Sequence, residues 1–263
     1  MWWYNHLSMT EENIDYRDAI NACVTNGKGL FEDAELLRDF ERYGTALALT
    51  NLAEEEFAKA FLLYLLKDKA IPSTPEVWRA LRDHHCKHLL TVFMEYLHSN
   101  AEQFSVRVKA QYDPDRRLPR EVASAVNLFR HEKIRRWESP CSKVLEPGHY
   151  DNETKRLPNN IDRAKQSAIY VDVSPEGMIV TTPVSVTAEQ VKLEMEKCSR
   201  LRELAMEVEA GYLLLSQDFD RLKDSLALVF KPPVINEVGD LCPGVRIYSE
   251  LWQLVALEVT DEE

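Results

Sequence analysis

Titratable side chains are concentrated in one short stretch of the sequence, WRALRDHHCKH at residues 78–88. It holds two arginines, three histidines and a lysine within eleven residues. Helical residues three or four positions apart share a face, so His88 can stand beside His84 or His85. Histidine changes its charge near neutral pH and is the most frequent general acid or base in enzymes. This stretch therefore predicts either proton transfer or metal binding.

A second stretch, NLAEEEFAKAF at residues 51–61, places three consecutive glutamates and Lys59 inside an otherwise apolar sequence. A buried carboxylate without a partner is so unfavourable that it must find a cation or take up a proton. Lys59 follows Glu55 by four residues and is one candidate partner on a helix. Two interpretations fit the pattern: a structural ion pair on a half-exposed edge, or a polar site inside a helical bundle.

Metal binding is possible for the histidines, but the common motifs do not fit. A di-iron bundle needs two Glu-x-x-His motifs on helices. Glu95-Tyr-Leu-His98 is one, whereas Glu146-Pro-Gly-His149 contains two helix-breaking residues. Glycine-rich phosphate loops, dinucleotide fingerprints and Gly-x-Ser-x-Gly are absent. No metal or cofactor is therefore predicted, and the remaining alternative is zinc bound by His84, His88 and either Cys86 or a glutamate.

The order of hydrophobic patterns predicts a mainly α-helical fold. Only 8 glycines occur in 263 residues, which favours long helices over sheets with many turns. AIYVDVSPEGMIVTTPVSV alternates β-forming residues around a turn and predicts a small hairpin near residues 168–182. The predicted helices cover residues 11–42, with the apolar stripe interrupted by NGKG, then 45–68, 73–99, 119–138 and a long C-terminal helix from Thr187 to about Phe230.

The chain is predicted to form one helical domain over residues 1–230, with an irregular C-terminal extension at 231–263 packed on it. The N-terminal stretch lacks the basic and apolar regions of a signal peptide, and no apolar run is long enough to span a membrane. Five scattered cysteines without a C-x-x-C motif suit reduced thiols. These features predict a cytoplasmic protein without a membrane segment.

Charge is unevenly distributed along the chain. The formal net charge is −12, yet residues 103–143 carry 10 bases against 5 acids. A net acidic chain does not indicate nucleic-acid binding, although a local basic segment can still contact phosphates. The alternative is a solvated basic helix that compensates its acidic neighbours.

Three motifs in the same order resemble the AbiV family of bacterial abortive-infection proteins, which is placed with the HEPN helical-bundle superfamily. RYGTALALTNLAEEEFAKAF is followed by the histidine-rich stretch and later by DRAKQSAIYVDV, and the resemblance covers about residues 11–200. It implies a HEPN-like helical bundle. The matching motifs are Glu55 and Glu56 with Lys59, or Glu54 in an alternative register, then His85 with Lys87, and Tyr170 to Asp172.

The resemblance implies phage defence, in which an infected cell is stopped before phage multiply. Many HEPN proteins are dimeric, metal-independent ribonucleases with an Arg followed by a His four to six residues later. In such a site the His engages the RNA 2′-hydroxyl and the Arg stabilises charge on the phosphorus centre. Arg79 with His84 or His85, and Arg82 with His88, all have this spacing. The alternative is that these are surface residues of an amphipathic helix.

These arguments predict a polar pocket with DRAKQ at residues 162–166 lying over it, including Asp162. The candidate catalytic residues are Glu55, Lys59, Arg79, Arg82, His84, His85 and His88. The candidate RNA-binding residues are Lys87, Arg130, Lys133, Arg163 and Lys165.

Two function classes follow from this pocket. The first is an antiphage ribonuclease that stops translation and binds RNA as a homodimer. The second is a non-enzymatic effector that binds a phage or host protein and blocks translation without cleaving RNA. In the second case the charged residues would form a latch within the bundle or a dimer.

Overall fold

A computed structural model describes residues 15–98, 118–137, 150, 152–212 and 217–230. It has the predicted architecture: a mainly α-helical bundle with one small antiparallel hairpin. The α-helices, numbered α1 to α8 in chain order, are Arg17–Asp39, Tyr43–Lys67, Pro75–Ala80, His84–His98, Arg120–Asn127, Asn152–Ile169, Ala188–Ala210 and Gln217–Phe230.

Helix α2 is the central element of the bundle. It packs against α1, α4, α6 and α7, and most of its residues are buried. The cause lies in its sequence, which is apolar nearly all round and so cannot present a face to water without loss of hydrophobic burial. The three glutamates lie in the middle of this buried helix, where Glu54 and Glu55 are themselves buried.

Helix α1 runs without interruption through the NGKG stretch, which the sequence had indicated as a break in its apolar stripe. Gly27 is buried and faces the ring of Phe57 on α2. A Cβ atom at position 27 would lie 2.6 Å from the nearest ring carbon of Phe57. The glycine is therefore what lets these two helices approach closely.

The helix predicted over residues 73–99 is divided in two. Its predicted start is confirmed, because the Thr74 side chain accepts a hydrogen bond from the Val77 N–H and Pro75 opens α3. Helix α3 ends at Ala80, and a new helix, α4, begins at His84. Asp83 caps α4 by accepting a hydrogen bond from the Cys86 N–H at 2.9 Å.

The helix predicted from Thr187 to Phe230 is also divided. Thr187 and Gln190 form the predicted capping box at the start of α7. Gly211 then adopts a left-handed conformation with φ of 80° and ends α7, because glycine takes this conformation without steric penalty. Helix α8 begins again at Gln217.

The segment predicted as one helix at 119–138 changes its winding. Helix α5 covers its first two turns, followed by a π-helix at Leu128–Ile134 and a 3-10 turn at Arg135–Trp137. Helix α6, at Asn152–Ile169, was not predicted. It contains the DRAKQ motif and packs on α2 and α4.

The predicted hairpin is confirmed. Strands β1 (Asp172–Val173) and β2 (Ile179–Thr181) pair antiparallel around a turn that includes Gly177, with φ of 78°. A 3-10 turn at Pro183–Ser185 leads to α7. None of the helices in the described ranges is long and apolar enough to cross a membrane.

The division into a domain at 1–230 and an extension at 231–263 stays a prediction. Residues 231–263 lie outside the described ranges, as do the predicted helical residues 11–14, Ser99 and Glu138.

The close approach of α1 and α2 gives a first test. Gly27→Ala is expected to destabilise the protein by about 1 kcal/mol or more, because overpacking against Phe57 outweighs the gain in helix propensity. Gly29→Ala is the matched control, since a Cβ there meets nothing within 4 Å. It should stabilise the protein by about 0.5–1 kcal/mol. Urea unfolding measures both, and equal stabilisation by the two variants would contradict the packing argument.

Candidate functional site

Each of the three consecutive glutamates on α2 has its own cationic partner. Glu54 pairs with Lys197 on α7, Glu55 with Lys87 on α4 and Lys165 on α6, and Glu56 with Lys59. The predicted pair of Glu55 with Lys59 is therefore wrong. Lys59 bonds the glutamate three residues before it, on a less buried side of α2, whereas Glu55 faces α4 and α6.

The Glu55 carboxylate is the centre of a polar cluster formed by side chains of α2, α4 and α6. One oxygen, Oε1, accepts a hydrogen bond from Lys165 Nζ at 2.8 Å. The other, Oε2, lies 2.5 Å from Lys87 Nζ and 2.6 Å from Nδ1 of His84. The Glu55 side chain is only 3% exposed, so its charge is balanced by protein groups and not by water. We call Glu55, His84, Lys87 and Lys165 the Glu55 cluster.

The lysines determine the protonation state of Glu55. Burial alone would raise the pKa of this carboxyl group, but hydrogen bonds from Lys165 and Lys87 outweigh burial and lower the pKa to about 2. Glu55 is therefore ionised at neutral pH and acts as an acceptor for every donor around it.

His84 is the member of the Glu55 cluster that reaches solvent, with half of its side chain exposed. An ionised carboxylate can only accept hydrogen bonds, so the short contact assigns the proton to Nδ1 of His84. In the neutral ring, Nε2 is then the nitrogen that can accept a proton. A carboxylate that holds one imidazole nitrogen and leaves the other available is the arrangement by which proteins orient a general base.

His88 lies deeper and has a different environment. Its side chain is fully buried, with Nε2 3.9 Å from Glu55 Oε1, and neither ring nitrogen has a hydrogen-bond partner among the described residues. Burial lowers the pKa of His88 to about 3, against the opposing attraction of Glu55. The ring is therefore neutral at physiological pH.

His85 belongs to a second cluster at the start of α4. Its Nδ1 lies 3.2 Å from Lys133 Nζ, and Asp83 pairs with Arg136 beside it. Burial and the nearby Lys133 lower the pKa of His85. The pKa of Asp83 is also lowered, because the Cys86 N–H and Arg136 outweigh the effect of burial. This cluster brings positive charge close to the Glu55 cluster, which shares α4 with it.

A third cluster, formed by Glu54, Lys197 and Glu194, joins α2 to α7. Lys197 Nζ lies 2.6 Å from Glu54 and 2.7 Å from Glu194. Burial raises the pKa of Glu54 well above its usual range, whereas Lys197 overcomes burial at Glu194 and lowers the pKa of that group. The negative charge that matches Lys197 therefore resides on Glu194. Lys197 also lines a cavity of about 590 Å³ between α4, α5, α6 and α7.

The other sequence-predicted residues lie apart from the Glu55 cluster. Arg79 is exposed and donates to the Trp137 carbonyl at 3.5 Å, and the side chain of Arg82 makes no hydrogen bond or ion pair with any described residue. Arg163 is exposed on α6. Arg130 is buried and donates to the Val229 carbonyl at 3.1 Å. The structure thus brings together Glu55, His84, Lys87, His88 and Lys165, with His85 and Lys133 beside them.

The zinc alternative has no support in the geometry. Within the described ranges, no group of three or more His, Cys, Asp or Glu side chains is placed to hold a metal ion. Cys86 is buried, and burial raises the pKa of its thiol, which disfavours the thiolate that zinc requires.

Asp83, Glu194 and Lys197 were missed by the sequence argument. Asp83 had a signal, because an Asp directly before HHCKH is a typical helix N-cap. The sequence also indicates Glu194 and Lys197, because they form an i, i+3 pair that lies among the buried residues Val191, Met195 and Cys198 of the same helix.

Comparison with known protein families supports the resemblance in the motifs. A sequence model of the AbiV family, described as HEPN_AbiV, matches residues 15–202. The chain belongs to the AbiV family. Membership indicates abortive-infection antiphage defence, and the matched range includes all members of the Glu55 cluster. No curated protein and no solved structure matches this AbiV-family chain.

The Glu55 cluster predicts a large difference between two neighbouring substitutions. Glu55→Gln removes the negative charge that lies between Lys87 and Lys165, two lysines of low exposure, so it should lower the free energy of unfolding by about 3–5 kcal/mol at pH 7. Glu56→Gln removes a more exposed i, i+3 pair and should cost at most about 1 kcal/mol. Similar losses in urea unfolding of the two variants would contradict a central role for Glu55.

The difference in free energy of unfolding between the wild type and Glu55→Gln should also depend on pH. The pKa of Glu55 is lower in the folded protein than in the unfolded chain, so its stabilisation is present above the unfolded value of 4.5 and is lost as pH falls towards 2. The stability gap between the wild type and Glu55→Gln should therefore shrink by about 3 kcal/mol between about pH 6 and pH 2. Urea unfolding at several pH values measures it, and a constant gap would contradict the lowered pKa.

Proposed function

We propose that this AbiV-family protein defends against phage as a metal-independent ribonuclease, with His84 as its general base. One observation carries the proposal: a half-exposed imidazole is held through Nδ1 by a buried, ionised carboxylate. Lys87 and Lys165 fix that carboxylate in turn, so the imidazole has a defined orientation at the protein surface.

The proposed reaction is cleavage of RNA by intramolecular transphosphorylation, in which the 2′-oxygen of a ribose attacks the phosphorus bonded to the 3′-oxygen of the same ribose. Nε2 of His84 takes the proton of the 2′-hydroxyl, and the resulting oxygen attacks the adjacent phosphorus. The bond from phosphorus to the 5′-oxygen breaks, that oxygen takes up a proton from water, and a 2′,3′-cyclic phosphate remains. His84 then returns its proton to the solvent. Glu55 balances the positive charge that the His84 ring gains during the first proton transfer.

The surrounding cations divide into two proposed roles. Lys87 and Lys165 have little exposure and hold Glu55, so they act as positioning residues in this proposal. Exposed Arg163 and partly exposed Lys133 are proposed to bind RNA phosphates, whereas Arg130 is buried and bonded to α8.

The exposed guanidinium groups of Arg79 and Arg82 are proposed to stabilise charge on the reacting phosphate. His85 is proposed to contribute through its contact with Lys133, and the buried His88 to support Glu55 from inside the bundle. Lys59 is proposed to have no catalytic role, because it bonds Glu56.

The decisive experiment is cleavage of single-stranded RNA by the purified full chain in the presence of EDTA. His84→Gln should lower the cleavage rate by about 100-fold or more, because a positioned general base contributes this much. Its thermal stability should stay close to that of the wild type, since the His84 side chain is half exposed.

His98→Gln is the matched control. His98 also contacts a carboxylate, Glu203, at 2.8 Å, and it lies at the opposite end of the same helix. Its cleavage rate should equal that of the wild type. Wild-type cleavage that survives EDTA but is equally fast in His84→Gln would contradict the assignment of His84.

A second candidate function, a non-enzymatic binding effector, is favoured by the exposed apolar side chains of the hairpin. Phage plating on cells that express the wild type or His84→Gln separates the two functions. Loss of protection in His84→Gln at equal protein level supports the ribonuclease. Full protection by His84→Gln supports the binding effector.

A further inference from the structure

The cavity of about 590 Å³ between α4, α5, α6 and α7 takes no part in the proposed ribonuclease site. Its volume lies within the range of pockets that hold small organic ligands, roughly 300–1,000 Å³. We call it the four-helix cavity. None of the residues of the Glu55 cluster lines it, so an inference about this cavity does not depend on the ribonuclease mechanism.

One wall of the four-helix cavity is apolar. It is formed by Val92 of α4 and by Leu157 and Ile161 of α6, all of which are partly buried. Leu157 and Ile161 are four residues apart on α6, so their side chains form a continuous strip along one face of that helix. A ligand that fits this wall needs an apolar body.

Two charged residues of the cavity already have partners of opposite charge. Glu95 accepts hydrogen bonds from the guanidinium group of Arg200 at 3.1 and 3.3 Å. Lys197 donates hydrogen bonds to Glu54 and Glu194 at 2.6 and 2.7 Å. Because both charges are balanced by protein groups, neither Glu95 nor Lys197 determines the charge of a ligand.

Glu121 lines the same cavity, but its carboxylate is incompletely bonded. Its Oε2 atom is buried, and no described group donates a hydrogen bond to it. Arg120, the neighbouring base, is exposed and does not donate to this oxygen either. A carboxylate oxygen removed from water without a donor is unfavourable, and a cation is the strongest donor that a ligand can supply.

We propose that the four-helix cavity binds a small organic cation, an alkyl ammonium or guanidinium, with its charged end on Glu121 and its apolar body along the wall formed by α4 and α6. Glu153, an exposed acid of the same cavity, adds a second negative charge that attracts a cation. An anionic ligand would instead meet the carboxylates of both residues.

The test is isothermal titration of the full chain with three probes of equal chain length: hexylammonium, hexanol and hexanoate. Hexylammonium should bind one site with a dissociation constant of about 1 mM and raise the melting temperature. Hexanol should bind about tenfold more weakly, because it forms no charge-assisted hydrogen bond, and hexanoate more weakly still. Absence of hexylammonium binding, or equal binding of hexanoate, would overturn the proposal.

Glu121→Gln should weaken the binding of hexylammonium about tenfold and leave that of hexanol unchanged. Glu189→Gln is the matched control, since both glutamates lie in the first turn of a helix and Glu189 does not line the cavity. The net charge of the chain is −12, so non-specific attraction of a cation should fall equally in both variants. Equal affinities of the two variants for hexylammonium would overturn the assignment of Glu121.

Leu157→Trp tests the apolar wall independently of charge. The larger ring should occupy part of the cavity and weaken hexylammonium and hexanol alike, by about tenfold or more. Leu157 is only partly buried, so circular dichroism of the variant should show an intact helical fold. Unchanged binding of hexylammonium to a folded Leu157→Trp would place the probe outside the four-helix cavity and overturn the proposal.

Discussion

A carboxylate buried on α2 must be balanced by positive charge, and this constraint fixes how the neighbouring helices pack. Glu55 cannot be ionised inside the bundle unless lysines approach it, and these come from α4 and α6. Neither helix can rotate or slide by one residue without leaving an unmatched charge. Apolar packing alone would tolerate several arrangements of such helices, whereas the ion pairs select one. Lys197 on α7 also approaches the buried Glu54 side chain of α2 at 2.6 Å, and this contact fixes the position of α7 against α2.

The structural latch and the polar site, which the sequence presented as alternatives, involve the same atoms. Lys87 and Lys165 secure the bundle through the oxygens of Glu55, and one of these oxygens also holds His84. A rigid bundle is what orients an imidazole at its surface, so stability and a catalytic role do not compete here. They differ in the residue on which each depends: Glu55 and the lysines for the fold, and His84 for the proposed chemistry.

The sequence predicted the helical class and the hairpin, because these follow from periodicity. It also predicted the approach of the 162–166 segment to Glu55, from the order of the motifs that resemble the AbiV family. It did not predict the partner of Glu55. Local spacing favours Lys59, but the side on which a helix is buried depends on distant segments. Helix α6 escaped prediction because it contains Pro158 and follows a Pro- and Gly-rich stretch. The start of α4 could have been predicted from the sequence, because Asp83 is a typical helix N-cap and His84 is then the first helical residue.

The sequence separation of these contacts also sets an order of assembly on the ribosome. Glu55 is 32 residues from Lys87 but 110 from Lys165, and Glu54 is 143 residues from Lys197. Such non-local contacts form late, because the entropy of closing a long loop must be overcome first. A nascent chain that has not yet reached Lys165 holds Glu55 with one lysine fewer. Full pairing of Glu55, which orients His84, is therefore reached only when well over half of the chain has been synthesised.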